Sequence, residues 1–238
     1  MKTGLTLEQL AAEITRQQSA KEDYVVNTGN LRLESYGPDL TLRVLDSDGA
    51  DRIEPLEIGD IAHRQIGTHL SIPAKYYERM RSEDPGLLAH NVNTWLERTP
   101  AQRMIRVLDG KARAYLSNRY LRMDNYSIAS AVLPILAEIP DVRIESCQIT
   151  DSRMYIKAVN PRLQEDVTPG DTVQAGVVIS NSEVGLGSVN IQPLIYRLVC
   201  SNGMVVNDAA TKRNHIGRAT DAEENFQLYH RAHGAKYS

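Results

Sequence analysis

Residues 103–116 read Arg-Met-Ile-Arg-Val-Leu-Asp-Gly-Lys-Ala-Arg-Ala-Tyr-Leu, and this stretch decides the fold. Two alternating runs, Arg103–Leu108 and Lys111–Leu116, are separated by Asp109-Gly110 alone. A two-residue Asp-Gly link marks a β-hairpin, because a type I′ turn needs positive φ at both central residues, which Asp and Gly tolerate. Strand alternation then places Lys111, Arg113 and Tyr115 on one face, and Ala112, Ala114 and Leu116 on the other. Arg103 and Arg106 fall on alternate faces of the first strand, so one of the two joins the row.

Downstream of the hairpin, Asp124 can cap a helix whose buried stripe is Tyr126, Ala129, Val132, Leu133 and Leu136. Pro134 predicts a kink or an early end. Four extended runs follow: Val142–Gln148, Arg153–Val159, Thr172–Ser180 and Val189–Cys200. Pro193 inside the last run marks an edge or a bulge. Upstream, Thr6 can cap a first helix with Leu7, Leu10, Ala11 and Ile14 on one face. Three extended segments come next (Tyr24–Asn27, Asn30–Glu34, Thr41–Leu45), and then a helical stretch from Ile58 to Leu96. The fold class is α+β: a β-hairpin, helix and antiparallel sheet core with a small helical N-terminal lobe. The chain divides into an N-terminal helix with strands (1–54), a helical lobe (55–100), the hairpin-helix-sheet core (101–210) and a basic C-terminal tail (211–238), together one domain.

The 238 residues are 42% hydrophobic and 24% charged, which suits a globular core. No apolar run approaches the roughly 20 residues of a membrane span, and Met1-Lys2-Thr3-Gly4-Leu5 lacks the apolar stretch of a signal peptide. Two cysteines, Cys147 and Cys200, are too few for a disulfide framework and point to a reducing cytoplasm.

The net charge of −3 conceals a polarity along the chain. Glu34 to Asp60 holds eight acids and two bases; Arg103 to Arg122 holds six bases and one acid. Those bases are Arg103, Arg106, Lys111, Arg113, Arg119 and Arg122, with Tyr115 and Tyr120 among them. Lys157 and Arg197 lie on later strands, and Lys212, Arg213 and Arg218 add a second cluster. Cations interleaved with tyrosines suit a single-stranded polynucleotide, whose phosphates need charge and whose bases need flat faces. Pairing of these cations with the acidic early segment is the competing reading.

Other chemistry finds less support. The loop 181–188, Asn-Ser-Glu-Val-Gly-Leu-Gly-Ser, lacks the Lys-Ser/Thr ending of a P-loop and reads as a flexible hairpin loop. Cys147 and Cys200 have no CxxC or CxxH spacing, and His230 and His233 lack a second pair, so no metal site is expected. Asp151, Glu183 and Lys157 could be assembled into a nuclease only on paper. The expectation is a protein without catalytic centre or cofactor.

Several motifs carry a resemblance: Ile72-Pro-Ala-Lys-Tyr-Tyr-Glu-Arg-Met80, Asn91-Val-Asn-Thr-Trp-Leu96, Arg113-Ala-Tyr-Leu-Ser-Asn-Arg-Tyr120 and Gln174-Ala-Gly-Val-Val-Ile-Ser-Asn-Ser-Glu-Val-Gly-Leu-Gly187. Tyr196-Arg-Leu-Val-Cys-Ser-Asn-Gly203 and His215-Ile-Gly-Arg218 add to it. The chain resembles the phage/plasmid-like domain-of-unknown-function family over about residues 55 to 218, a likeness that names relatives and no reaction. The element order is also similar to the single-strand annealing proteins of phage recombination, the Redβ/Erf-type superfamily. That likeness implies rings or filaments of one chain, with single-stranded DNA in a groove lined by Arg113, Tyr115, Arg119, Tyr120 and Arg122 and supported by Lys157 and Arg197. The expected function is single-stranded DNA binding and annealing in a phage or mobile element, in the host cytoplasm, by a homo-oligomer that uses no membrane. The alternative is a phage protein-interaction module acting on a host or phage protein, as in counter-defence.

Overall fold

The structure, a computed structural model, describes residues 2–167, 169, 171–198, 203–205 and 211–213. Its class is α+β, as the sequence implies. It forms two compact units rather than one domain: a central unit, Ser19–Tyr120, and a terminal unit made of Met1–Gln18 with Leu121–Ser238.

The central unit is a six-stranded sheet covered on one face by three helices. Its strands are β2 (Lys21–Asn27), β3 (Leu31–Tyr36), β4 (Asp39–Val44), β5 (Leu56–Ile58), β6 (Gln102–Leu108) and β7 (Lys111–Ser117), in the order β2-β6-β7-β5-β4-β3. Asp109 (φ 52) and Gly110 (φ 74) make the expected turn between β6 and β7. The hairpin pairs with β2 on one side and, in parallel, with β5 on the other. Hairpin and helical lobe therefore share one core, which corrects the boundary near residue 100. The apolar side of the hairpin (Ile105, Val107, Ala112) needs a cover, and the helices α2 (Asp60–His69), α3 (Ala74–Glu83) and α4 (Pro85–Arg98) supply it with Ala62, Ile66, Tyr77, Leu88 and Val92. A Cβ on Gly67 of α2 would sit 2.9 Å from the Tyr77 ring, so glycine sets how closely α3 approaches. Asp84 caps α4 by accepting from the Leu87 N–H at 2.9 Å, with Pro85 in the first turn.

One edge of this sheet, β3, is blunted by a side chain. The Asn93 amide on α4 accepts from the Leu33 N–H (2.8 Å) and donates to the Leu33 carbonyl (2.9 Å), as a neighbouring strand would.

The terminal unit contains β1 (Lys2–Leu5), α1 (Leu7–Ala20), α5 (Asn125–Glu138), β8 (Arg143–Ile149), β9 (Met154–Asp166), β10 (Thr172–Asn181), β11 (Val189–Arg197), β12 (Gly203–Val205) and β13 (Thr211–Arg213). Its sheet runs β1-β8-β9-β10-β11-β12, with β13 also paired to β11. Thr6 and Gln9 cap α1 reciprocally: Thr6 Oγ1 accepts from the Gln9 N–H and Gln9 Oε1 from the Thr6 N–H. Leu10 and Ile14 of α1 and Ile128, Ala129, Val132 and Leu136 of α5 cover one sheet face, over Cys147, Met154, Ile156, Ala158, Ile179 and Ile191.

Two proline expectations change. Helix α5 continues past Pro134 to Glu138, because Pro134 lies on the exposed side and the Ser130 carbonyl it leaves without a helical donor is open to water. Pro193 lies on a strand with described neighbours on both sides rather than at an edge. β13 pairs with Val189, Asn190 and Ile191, and β12 with Leu194, Ile195 and Tyr196, so Pro193 falls in the gap where no N–H is required. Residues 211–213 of the expected tail are strand β13; the rest of it lies outside the described residues. No helix among the described residues is long and apolar enough to cross a membrane.

Candidate nucleic-acid interface

The hairpin does not present the row of cations expected of it. Arg106 pairs with Ala114 and Val107 with Ala112, which leaves Arg113 as the extra residue of a β-bulge. A bulge shifts the alternation by one, so Tyr115 joins Ala112 on the helix-covered face instead of joining Lys111 and Arg113. Tyr115 is 3% exposed; its N–H donates to Gln65 Oε1 (2.7 Å) and its hydroxyl meets His69 Nδ1 (2.8 Å). Arg106 is 0% exposed, and its guanidinium is held by both carboxylate oxygens of Asp23 at 2.8 and 3.1 Å. Lys111 is paired with Glu57, an acid of the early segment. Arg113 is half-buried. Arg103, also half-buried, lies with its guanidinium carbon 5.6 Å from the centre of the Tyr115 ring.

The other expected residues are divided between the units. Arg119 and Tyr120 close the central unit, Arg119 exposed and Tyr120 half-buried. Arg122, Lys157, Arg197, Lys212, Arg213 and Arg218 belong to the terminal unit. Arg122 is exposed. Arg197 is paired with Asp171 at 2.7 Å, and its register opposite Val173 puts it on the sheet face opposite to Lys157. Lys212 and Arg213 are on β13, where Lys212 pairs with Asn190; Arg218 lies outside the described residues. Six bases close together in sequence thus become scattered and, in two cases, neutralised groups.

The terminal sheet offers a more coherent surface on its second face, away from α1 and α5. One cross-strand row is Gln148–Tyr155–Ser180–Asn190, and the next is Ser146–Lys157–Val178–Gln192. Successive rows on one face lie about 7 Å apart, close to the spacing of nucleotides in an extended strand. Gln148, Tyr155, Ser146, Lys157 and Gln192 are half-buried, and beside them Val159, Val178, Leu194 and Tyr196 form a small apolar cluster against which Tyr155 packs. A flat ring, an ammonium and several amides therefore share one face. Strand alternation within 153–159 and 189–197 carried this signal, but cross-strand register was needed to bring the rows together.

The first half of the loop after β10 is a buried anchor, while Gly185 and Leu186 at its tip are exposed. Asn181, Ser182, Glu183 and Val184 are 5% exposed or less. Glu183 accepts from the Asn125 N–H at 2.6 Å at the start of α5, where a carboxylate opposes the positive end of the helix. Asn181 donates to the Met123 carbonyl (2.8 Å) and to Asn125 Oδ1 (2.9 Å). A Cβ on Gly187 would press on the Arg153 guanidinium, the movable end of a flexible side chain. Among the described residues no group of three His, Cys, Asp or Glu could hold a metal ion.

Two histidines of α2, the buried His63 and the half-buried His69, each meet a buried tyrosine. The Tyr77 hydroxyl is 2.9 Å from His63 Nδ1, and burial pushes His63 down to about 4, with the nearby Arg81 adding to the effect. Burial raises Tyr77 and Tyr115, so both phenols stay protonated, and the direction of each hydrogen bond follows the tautomer of its histidine. His69 is lowered by burial and then by Arg103.

Fold and surface together define an α+β protein of two sheet-and-helix units, one with an amide-rich face. The chain belongs to the family described as Domain of unknown function (DUF932), whose sequence model matches residues 114–234. The match begins in β7 and takes in α5 and β8 to β13, so it falls almost wholly on the terminal unit. No curated protein and no solved structure matches the chain.

Proposed function

We propose that the chain binds single-stranded DNA without catalysis or a cofactor, through the second face of the terminal sheet. The observation that carries this reading is the adjacency of Tyr155 and Lys157 in neighbouring rows with Gln148, Ser146 and Gln192 beside them. A tyrosine ring can stack a base, an ammonium can meet the flanking phosphate, and amides can bond base edges. The location within the family match supports placing the activity here rather than on the hairpin. The resemblance to phage/plasmid-like proteins and to the Redβ/Erf-type superfamily supports the wider setting: annealing by a homo-oligomer, ring or filament, in the host cytoplasm of a phage or mobile element.

The test is fluorescence anisotropy of a labelled single-stranded oligonucleotide at low salt. Replacing Tyr155 by Leu and Lys157 by Gln together weakens binding by about 2–4 kcal/mol, since each stacked base is worth about 1–3 kcal/mol and one phosphate contact is lost as well. Full affinity in that double variant removes the sheet face from the reading, and no affinity in the unaltered chain removes the reading altogether.

A second reading, a protein-interaction module acting on a host or phage protein, is favoured by one observation on the central unit. Tyr36 (60% exposed), Trp95 (43%) and Leu87 (41%) expose large apolar side chains there. Under it, Trp95→Ala abolishes partner capture from nuclease-treated host lysate and leaves DNA affinity untouched.

A further inference from the structure

Arg103 is set apart from its neighbours on the hairpin: Arg106 and Lys111 each have a carboxylate, whereas among the described residues none lies within ion-pair distance of Arg103. Its Nε is buried and faces no acceptor. A half-buried guanidinium without a counter-charge is unfavourable, and such a group is stabilised when an anion arrives.

Beside it lie the Tyr115 ring and, next to that, the His69 imidazole. The Arg103 guanidinium lies over the Tyr115 ring, its carbon 5.6 Å from the ring centre. The Tyr115 hydroxyl in turn lies within hydrogen-bond distance of His69 Nδ1, at 2.8 Å. In the tautomer that accepts at Nδ1 the imidazole carries its proton on Nε2, and that N–H is a second donor for an anion. His69 and Arg103 are both half-buried, within reach of solvent. Arg103 thus offers a charged donor without a carboxylate, and His69 in that tautomer offers a neutral donor beside it.

We infer that Arg103, Tyr115 and His69 form a binding site for a phosphate group on the central unit. A carboxylate would satisfy the guanidinium fork with its two oxygens and leave the imidazole donor unused. A tetrahedral phosphate has oxygens for both. The site stands apart from the sheet face of the terminal unit and does not depend on it. The phosphate can come from a small phosphorylated molecule or from the end of a DNA strand; the chemistry recognised is the same.

The experiment follows the His69 imidazole resonances of the full-length chain by NMR while inorganic phosphate is added, at constant ionic strength and pH. The expected result is a saturable shift that acetate does not reproduce. Arg103→Gln and His69→Gln each weaken it by about tenfold or more, the loss of one charge-assisted bond, while Arg79→Gln on the exposed face of α3 leaves it unchanged. In Arg103→Gln the readout is His69, and in His69→Gln it is the backbone amide of Tyr115, so failure of one variant to fold leaves the other decisive. A 5′-phosphorylated oligonucleotide that moves His69 where the 5′-hydroxyl form does not identifies a strand end as the source. A response to inorganic phosphate alone identifies a small molecule, and it stands even if the chain has no affinity for DNA. No saturable response in the unaltered chain, or the same response in Arg103→Gln, overturns the site.

Discussion

Arg106 is a guanidinium sealed from water against Asp23, and His63 is an imidazole sealed against Tyr77. Both show a polar group accepted into a core because its geometry is complete. For Arg106 the fork meets both carboxylate oxygens, so removing Asp23 strands a buried charge rather than deleting a weak surface pair. For His63 the consequence is a pH dependence. Its folded value of about 4 lies below the ordinary 6.5, so between these values the unfolded chain takes up a proton that the folded chain refuses. Stability therefore rises with pH across that window, by about 3 kcal/mol in all, and is level above it. Urea unfolding midpoints from pH 4 to 7 should show the rise, and His63→Gln, which keeps a bonding partner for Tyr77, should flatten most of it.

At the level of elements, the hairpin shows how one inserted residue redirects a surface. With Arg113 bulged out, the remainder of β7 turns over, and Tyr115 passes from the expected outer row into the core. The β3 edge shows a different device, a helix side chain standing in for a strand. Asn93→Ala leaves the Leu33 N–H and carbonyl without their partner. Stability should fall by about 2 kcal/mol, the loss of two partly buried bonds, and the freed edge should add concentration-dependent self-association. Sedimentation of the variant over a range of concentrations checks this; a monomer as well behaved as the unaltered chain would show that Asn93 does not guard the edge.

For the molecule as a whole, the −3 net charge and the internal pairing limit how strongly any polyanion can be attracted. An open hairpin track of six cations would give a slope of log affinity against log salt of about −4, from 0.7 per phosphate on a single strand. With Lys157 carrying the contact on the terminal sheet face, the slope should instead lie near about −1. Affinity measured across a salt series separates the two, and a slope near the steeper figure would return the function to the hairpin.

Local chemistry was enough to determine most elements of this protein, β1 and β5 excepted. Asp109-Gly110 can hardly be anything but a tight turn, Thr6 and Asp124 stand where helices begin, and alternation along 153–159 and 172–180 is that of strands with one apolar face. The α+β class follows from those facts, because each depends on φ preference, capping or a two-residue period within a few neighbours. Partnership was decided only by the tertiary structure. That the hairpin joins β2 and β5, that Glu57 meets Lys111 across 54 positions and Asp23 meets Arg106 across 83, and that loop 181–187 anchors α5 all depend on contacts distant in sequence. A cation's identity is written in the chain, but whether it faces water, a carboxylate or a ring is set by what the fold brings beside it.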